Sequence, residues 1–439
     1  MFCMVFLVMF VFPQNAKEIG NGTLTLTNAL ALAFAQSSEF RNAQIALEKA
    51  ELQWSQAQPL MQSSVLLNAQ YSLAEGVNNQ TLKNPFEFSV GASIPLLSQL
   101  SLSTSYTIDG KLGLGLSYIP FKSTADLRQL LLQLEKAKLA FASVKQSITQ
   151  ATVSYYNLAE NAAYALQYSK LLEKLAEENY LAAEIEFGKG YLSYYELSAV
   201  ESSYFNAQQN SIKAHNDYMT ALFNLSVYLR SDVADIATYE KVPDATLSLS
   251  PSEEQLRNHL PFETFLDRQK DYSELLLEYR AKKDSLQPVY PDLTLQCNAQ
   301  YDTANNAVGM TLGGTIKLGT GLFTQTTFNI QKLDLSQAES ALADLYGKYK
   351  NLYEVLLRQI RQYTIACSSS YMQYKKAEQN YGNMERLFEQ GMANSRDLLQ
   401  AQIALANSLV QYFQFYGTLR ERLASLGVFS EETAETTVP

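Results

Sequence analysis

The sequence predicts a mixed membrane protein of two like halves, each setting short alternating strands before a very long helical hairpin. Three observations predict it. First, Asn179-Tyr180, Phe187, Gly190, Leu197 and Asn206 recur in order as Asn380-Tyr381, Phe388, Gly391, Leu398 and Asn407, each pair at the same offset (380 − 179 = 201). An upstream echo, Asn68-Ala69-Gln70-Tyr71 and Asn298-Ala299-Gln300-Tyr301, has its own constant offset (298 − 68 = 230). Two echoes in one order imply an ancient duplication. Second, the hydrophobic period switches from 3.6 to 2 before each hairpin. Third, the hairpins run for dozens of residues with hardly a breaker. Strands with one apolar face ask for lipid, and long charged helices ask for water, so the chain needs two solvents.

Composition narrows the function classes. The chain has 439 residues, 18% of them charged, and a formal net charge of −10. That balance argues against nucleic acid, which needs clustered Lys and Arg to neutralise phosphates. Tyr (28) and Phe (21) are abundant beside one Trp; Tyr suits surfaces that are half apolar and half wet.

The elements follow in order. Residues 1–16 are expected to be a signal peptide. Its apolar run MFCMVFLVMFVF is too short to span a membrane, and Pro13-Gln14-Asn15-Ala16 follows it. The first repeat covers 22–230. A helix is expected over 24–58, started at Thr27-Asn28 and carried by Ala29, Leu30, Ala33, Ile45, Ala46, Ala50 and Leu52, with Pro59 ending it.

Within 64–119 four strands are expected. Val65, Leu67, Ala69, Tyr71 and Leu73 alternate with Leu66, Asn68, Gln70 and Ser72; Leu100, Leu102, Tyr106 and Ile108 with Ser101, Ser103, Ser105 and Thr107; and Leu112, Leu114, Leu116 and Tyr118 with Lys111, Gly113, Gly115 and Ser117. Asp109-Gly110 is a two-residue hairpin signal, and Phe86–Leu96 is the least regular strand. A soluble sandwich would alternate in the same way. Lengths of about 9–11 residues, however, match a tilted crossing of a bilayer.

From Ser123 to Phe187 no Pro or Gly interrupts. Leu127, Leu130, Leu131, Leu134, Ala137, Ala140, Phe141, Val144 and Ile148 give a helical stripe, on a rod on the order of 100 Å long. The hairpin spans 123–229 with its tip at 188–193. Residues 231–262, with Pro243, Pro251 and Pro261, form a connector with a short helix near Ser252–His259. The second repeat covers 263–428: helix 263–287, strands 292–302 and 307–318, and hairpin 328–426 with its tip at 391–395. The tail 429–439 is polar, acidic and expected to be disordered.

No chemistry-bearing constellation is evident. After Cys3, Cys297 falls in a strand and Cys367 in a helix, with no metal-ligand spacing. His215 and His259 stand apart. No catalytic residue, metal or cofactor is expected, and the chain is not expected to be an enzyme.

At these residues the sequence resembles the TolC-like outer membrane efflux family. Leu24-Thr25-Leu26-Thr27-Asn28-Ala29-Leu30-Ala31-Leu32-Ala33 is similar to its opening segment, and Ser38-Glu39-Phe40-Arg41 with Ala43, Ala46 and Ala50 continues the likeness. Gly391-Met392-Ala393-Asn394-Ser395-Arg396-Asp397-Leu398-Leu399 resembles the family's helix-tip turn, and Gly190-Tyr191-Leu192-Ser193-Tyr194-Tyr195-Glu196-Leu197 is the first-half equivalent.

The resemblance implies a homotrimer sharing one β-barrel in outer-membrane lipid, continued by a periplasmic α-helical coiled-coil tunnel. It implies a conduit for efflux or type I secretion, fed by an inner-membrane transporter and a periplasmic adaptor. Gly188, Gly190, Leu192, Ser193, Gly391, Asn394 and Ser395 would form adaptor-docking tips. Glu196 and Asp397, each six positions past its tip glycine, would line the pore entrance. As residues, both are also ordinary acids of a first helical turn.

The sequence departs from the family in two places. Ala393 stands where some members carry a basic latch residue, with Arg396 close by on a different face. The first half also shows up to four strands where two are usual, with both Ile94-Pro95-Leu96 and Ile119-Pro120-Phe121 resembling strand exits. The competing class is a coiled-coil scaffold protein without transport activity, which would leave the alternating strands unexplained.

Overall fold

Where apolar residues return every second position the chain forms strands, and where they return every third or fourth it forms helices. The computed structural model describes residues 23–57, 64–71, 86–97, 100–107, 111–118, 125–236, 257–258, 261–285, 292–302, 307–317 and 325–427. In chain order the elements are α1 (Leu26–Gln36), α2 (Ser38–Gln56), β1 (Ser64–Tyr71), β2 (Phe86–Leu97), β3 (Leu100–Thr107), β4 (Lys111–Tyr118), α3 (Ala125–Gly188) and α4 (Tyr194–Leu229). There follow α5 (Phe262–Asp267), α6 (Lys270–Ser285), β5 (Asp292–Asp302), β6 (Ala307–Lys317), α7 (Gln325–Glu389) and α8 (Ser395–Leu426). The expected signal peptide, the Asp109-Gly110 turn, the 429–439 tail and most of the connector lie outside the described residues.

Two helices expected to be continuous are broken. The 24–58 segment divides at Ser37, whose backbone is extended (φ −71°, ψ 117°). Ser37 serves both ends. Its N–H donates to Ala33 O at 3.0 Å, and its Oγ accepts from the Phe40 N–H at 3.2 Å. That satisfies end groups a helix otherwise leaves open. The 263–287 segment divides after Asp267. Gln269 O receives the Ser273 N–H at 3.0 Å and so opens α6. Arg268 meanwhile donates from Nη1 to Gly427 O at 2.6 Å. Ile94-Pro95-Leu96 also differs from expectation. It lies inside β2, where the register with β3 shifts between Pro95 and Leu97; proline lacks the ladder donor and so belongs at such irregularities.

The chain divides into two units. One holds residues up to Arg41, 142–268 and 348 onward; the other holds 42–141 and 269–347. In the first, Leu24, Leu26, Ala29, Leu30 and Ala33 pack with Ile148, Val153, Tyr156, Ala159 and Ala163 of α3. Leu222, Leu225 and Leu229 of α4, with Val233 and Ile236, complete this core. A parallel bridge joins Leu24 to Ile236, with the Leu24 N–H on Asp235 O at 3.0 Å. Further along, Asn157 Nδ2 donates to Gly417 O at 2.8 Å, and Tyr164 stacks on Phe413 at 4.2 Å. Glu160 and Arg420 form an ion pair buried in this core.

The second unit holds the sheet. Its six strands run antiparallel in sequence order, β1-β2-β3-β4-β5-β6. In the same unit Lys136 Nζ lies 2.6 Å from Glu278 Oε1, and Arg128 Nη1 donates to Asp284 O at 3.2 Å, so both residues tie α3 to α6.

Candidate functional site

Residues opposite one another in an antiparallel ladder point to the same face. The register therefore sorts the sheet into two faces. Val90, Tyr106, Leu112, Tyr301 and Val308 form one row across five strands. Leu114, Ala299 and Met310 continue a second row, and Leu102, Leu116, Cys297 and Leu312 a third. On the opposite face the rows read Gly91, Ser105, Gly113, Gln300, Gly309 and Ser93, Ser103, Gly115, Asn298, Thr311.

The apolar face is open: Leu114 is 50% exposed, Met310 65% and Leu312 80%. On β4 the polar face is the crowded one. A Cβ added at Gly113 would lie 2.4 Å from Ser105 Oγ, and one at Gly115 would lie 2.5 Å from Ser103 Oγ and 2.7 Å from Asn298 Oδ1. Among the described residues no helix is long and apolar enough to cross a membrane.

The predicted tip residues come together as two turns built alike. At the end of α3 the Gly190 N–H donates to Phe187 O at 2.9 Å and the Tyr191 N–H to Glu186 O at 3.0 Å. At the end of α7 the Gly391 N–H donates to Phe388 O at 2.9 Å and the Met392 N–H to Leu387 O at 2.8 Å. This is the Schellman stop, which needs a left-handed residue after the last turn. Both glycines supply it, Gly190 at φ 78° and Gly391 at φ 70°. Gly188 is the last residue of α3, and Leu192 is half-buried on the way to the next helix.

Three residues past each glycine comes an N-cap. Ser193 Oγ accepts from the Glu196 N–H at 3.2 Å, and Asn394 Oδ1 accepts from the Asp397 N–H at 2.8 Å. Ser395 then opens α8.

The two acids differ in what their carboxylates do. Glu196 closes a capping box, its Oε2 accepting from Ser193 N at 2.9 Å and from Ser193 Oγ at 2.7 Å. The Ser193 amide, and then its hydroxyl, hold the Glu196 carboxyl below the usual range. Asp397 makes no such return contact. Among the described residues no hydrogen bond or ion pair joins one tip to the other. The first tip also carries three exposed aromatics that sequence reasoning passed over, Tyr191, Tyr194 and Tyr195, where the second presents Met392.

No protein-family model matches the sequence, and no curated protein is a significant match. Solved structures do match. One is of CusC, described for its folding and transmembrane channel formation: TM-score 0.56, 12% identity, covering 92% of this chain and 91% of that one. Another is the outer membrane protein VceC from Vibrio cholerae: TM-score 0.51, 14% identity, covering 91% and 94%. The fold is that of outer-membrane channel proteins. The likeness to TolC-like channels carried by the tip residues thus extends to the fold of nearly the whole chain. A membrane protein from Pseudomonas aeruginosa is similar too: TM-score 0.50, 13% identity, covering 91% and 89%.

Proposed function

We propose that this chain is the outer-membrane conduit of a tripartite efflux or type I secretion system, passing cargo without chemistry of its own. Three copies close one barrel in lipid and continue it as a periplasmic helical tunnel. A periplasmic adaptor meets the tips, and an inner-membrane transporter supplies the cargo. The halves behave as diverged copies of one unit, which accounts for two tips that share the same Schellman turn and N-cap.

The observation that carries this is the exposed apolar face across β3–β6, set against a glycine, serine and amide face. A barrel wall with hydrocarbon on one side and water on the other satisfies both faces at once. A second observation supports assembly. Phe205, Ile212 and Met219, spaced by seven along α4, are all exposed, as a seam for a neighbouring helix is.

Glu196 and Asp397 would ring the entrance and favour cations. Asp397, whose carboxylate has no hydrogen bond or ion pair among the described residues, is the stronger contributor, and Glu196 is occupied in capping. Detergent-extracted protein should run as an SDS-resistant, heat-dissociable trimer and open cation-selective channels in planar bilayers, blocked by divalent cations from the tip side. Asp397→Ala should weaken block and selectivity more than Glu196→Ala. A water-soluble monomer without channels would instead support the coiled-coil scaffold.

A further inference from the structure

We infer that the barrel wall takes all six strands of each subunit, so that the pore is eighteen-stranded, with β6 of one copy joined to β1 of the next. The inference rests on the trimeric conduit proposed above and concerns how that conduit is closed.

The β2–β3 hairpin cannot be a rim excursion in this sheet. β2 pairs β1 over its full length, Ser64 with Ser93 through Tyr71 with Phe86. β3 pairs β4 from Leu100 with Tyr118 to Tyr106 with Leu112. Two strands therefore lie between β1 and β4, and the hairpin is wall. Its residues also continue both faces. Val90 and Tyr106 sit in the apolar row of Leu112, while Ser93 and Ser103 sit in the polar row of Gly115.

The edges fit a second copy of this chain. An even number of antiparallel strands leaves β1 and β6 running in opposite senses. Head-to-tail placement of copies then keeps the alternation unbroken around a ring. Neither edge is defended. SVLLNAQY carries no charge or proline, and AVGMTLGGTIK carries only the terminal Lys317. Sheets that face water unpaired protect their edges with such residues.

Strands about 4.8 Å apart and tilted about 40° give eighteen a backbone diameter of roughly 35 Å, against roughly 24 Å for twelve. A lumen of that width holds water rather than being filled by side chains. Cargo selection then falls to the helical part of the conduit.

Cysteine cross-linking tests this on the full chain in membranes, with Cys3, Cys297 and Cys367 replaced by Ala. Leu67→Cys is combined with Val308→Cys, Met310→Cys or Leu312→Cys in turn. Paired strands bring Cα atoms within disulfide range, so at least one pair should give a covalent trimer on oxidation. Leu67→Cys with Leu114→Cys is the opposing probe. A cross-link within one chain there would place β1 beside β4 and overturn the inference, as would failure of all three edge pairs in an SDS-resistant trimer. If no trimer or channel forms in any variant or in wild type, the conduit proposal itself falls. As a second measure, a chain lacking residues 86–107 should close a narrower barrel that excludes polymers the wild-type barrel mouth admits. An unchanged polymer cut-off overturns the inference.

Discussion

The helical unit has a covered apolar core, and the sheet displays an uncovered apolar face. Leu225, Leu229, Val153 and Ile360 have no measurable exposure, whereas Val308, Met310 and Leu312 are exposed along a whole strand. Both sets are aliphatic, so residue type does not separate them. What differs is the supply of partners. Around α4, helices α1 and α3 cover the stripe. On β6 nothing of the same chain does, among the described residues. A face like that is stable where the solvent is hydrocarbon, and the covered core is what water requires.

The sharpest way to break the contrast is to unbalance the buried ion pair on the covered side. Glu160 and Arg420 are 0% and 2% exposed in their side chains. The guanidinium sits 4.5 Å from the centre of the Tyr416 ring. Burial raises the Glu160 carboxyl, and the Arg420 charge opposes that. Glu160→Leu should cost about 3–5 kcal/mol by removing the buried carboxylate that faces the Arg420 guanidinium. Adding Arg420→Met should recover most of the loss, measured by denaturant unfolding. No recovery would mean that the loss comes from packing around Glu160 and not from the imbalance of charge.

The next largest effect belongs to the uncovered side. Leu114→Arg should cost about 2–4 kcal/mol in a bilayer near its midplane. Ser117→Arg, one face over, should be far milder. Equal losses of trimer yield would dissolve the distinction between the two faces.

At the tips, valine at Gly391 meets a left-handed backbone, worth about 1–2 kcal/mol of strain per site. Gly391→Val, and more so with Gly190→Val, should leave membrane insertion intact and impair export. Normal export in the double variant would show that these turns are not the docking surface.

Smallest is the cap. Ser193→Ala should destabilise α4 by about 1 kcal/mol. Because the Glu196 carboxyl is held low in the folded chain, its contribution is present above the unfolded value and fades as pH falls through the folded one. Fraying at the first tip should therefore appear only in acid. Amide exchange across Tyr194–Leu197 would show it, and no pH dependence would disprove it.

Much was legible in sequence because it is decided within a few residues. Alternation marks strands, an unbroken apolar stripe marks a long helix, and a glycine followed three places later by a cap marks each tip. The Schellman and capping contacts all lie within five residues of their partners. Ser37 was missed although a signal was there: a serine before Ser38-Glu39 is an N-cap before an acidic first turn.

What only the tertiary structure decided is non-local. Glu160 meets Arg420 across 260 residues, and no spacing in the sequence announces such a pair. Strand number was left open for the same reason. Alternation says which side of a strand is apolar but not which strand lies beside it. Only the register of β1 on β2 and of β3 on β4 put the extra hairpin in the sheet, because backbone ladders are common to every pairing and the whole apolar face must close before one pairing wins.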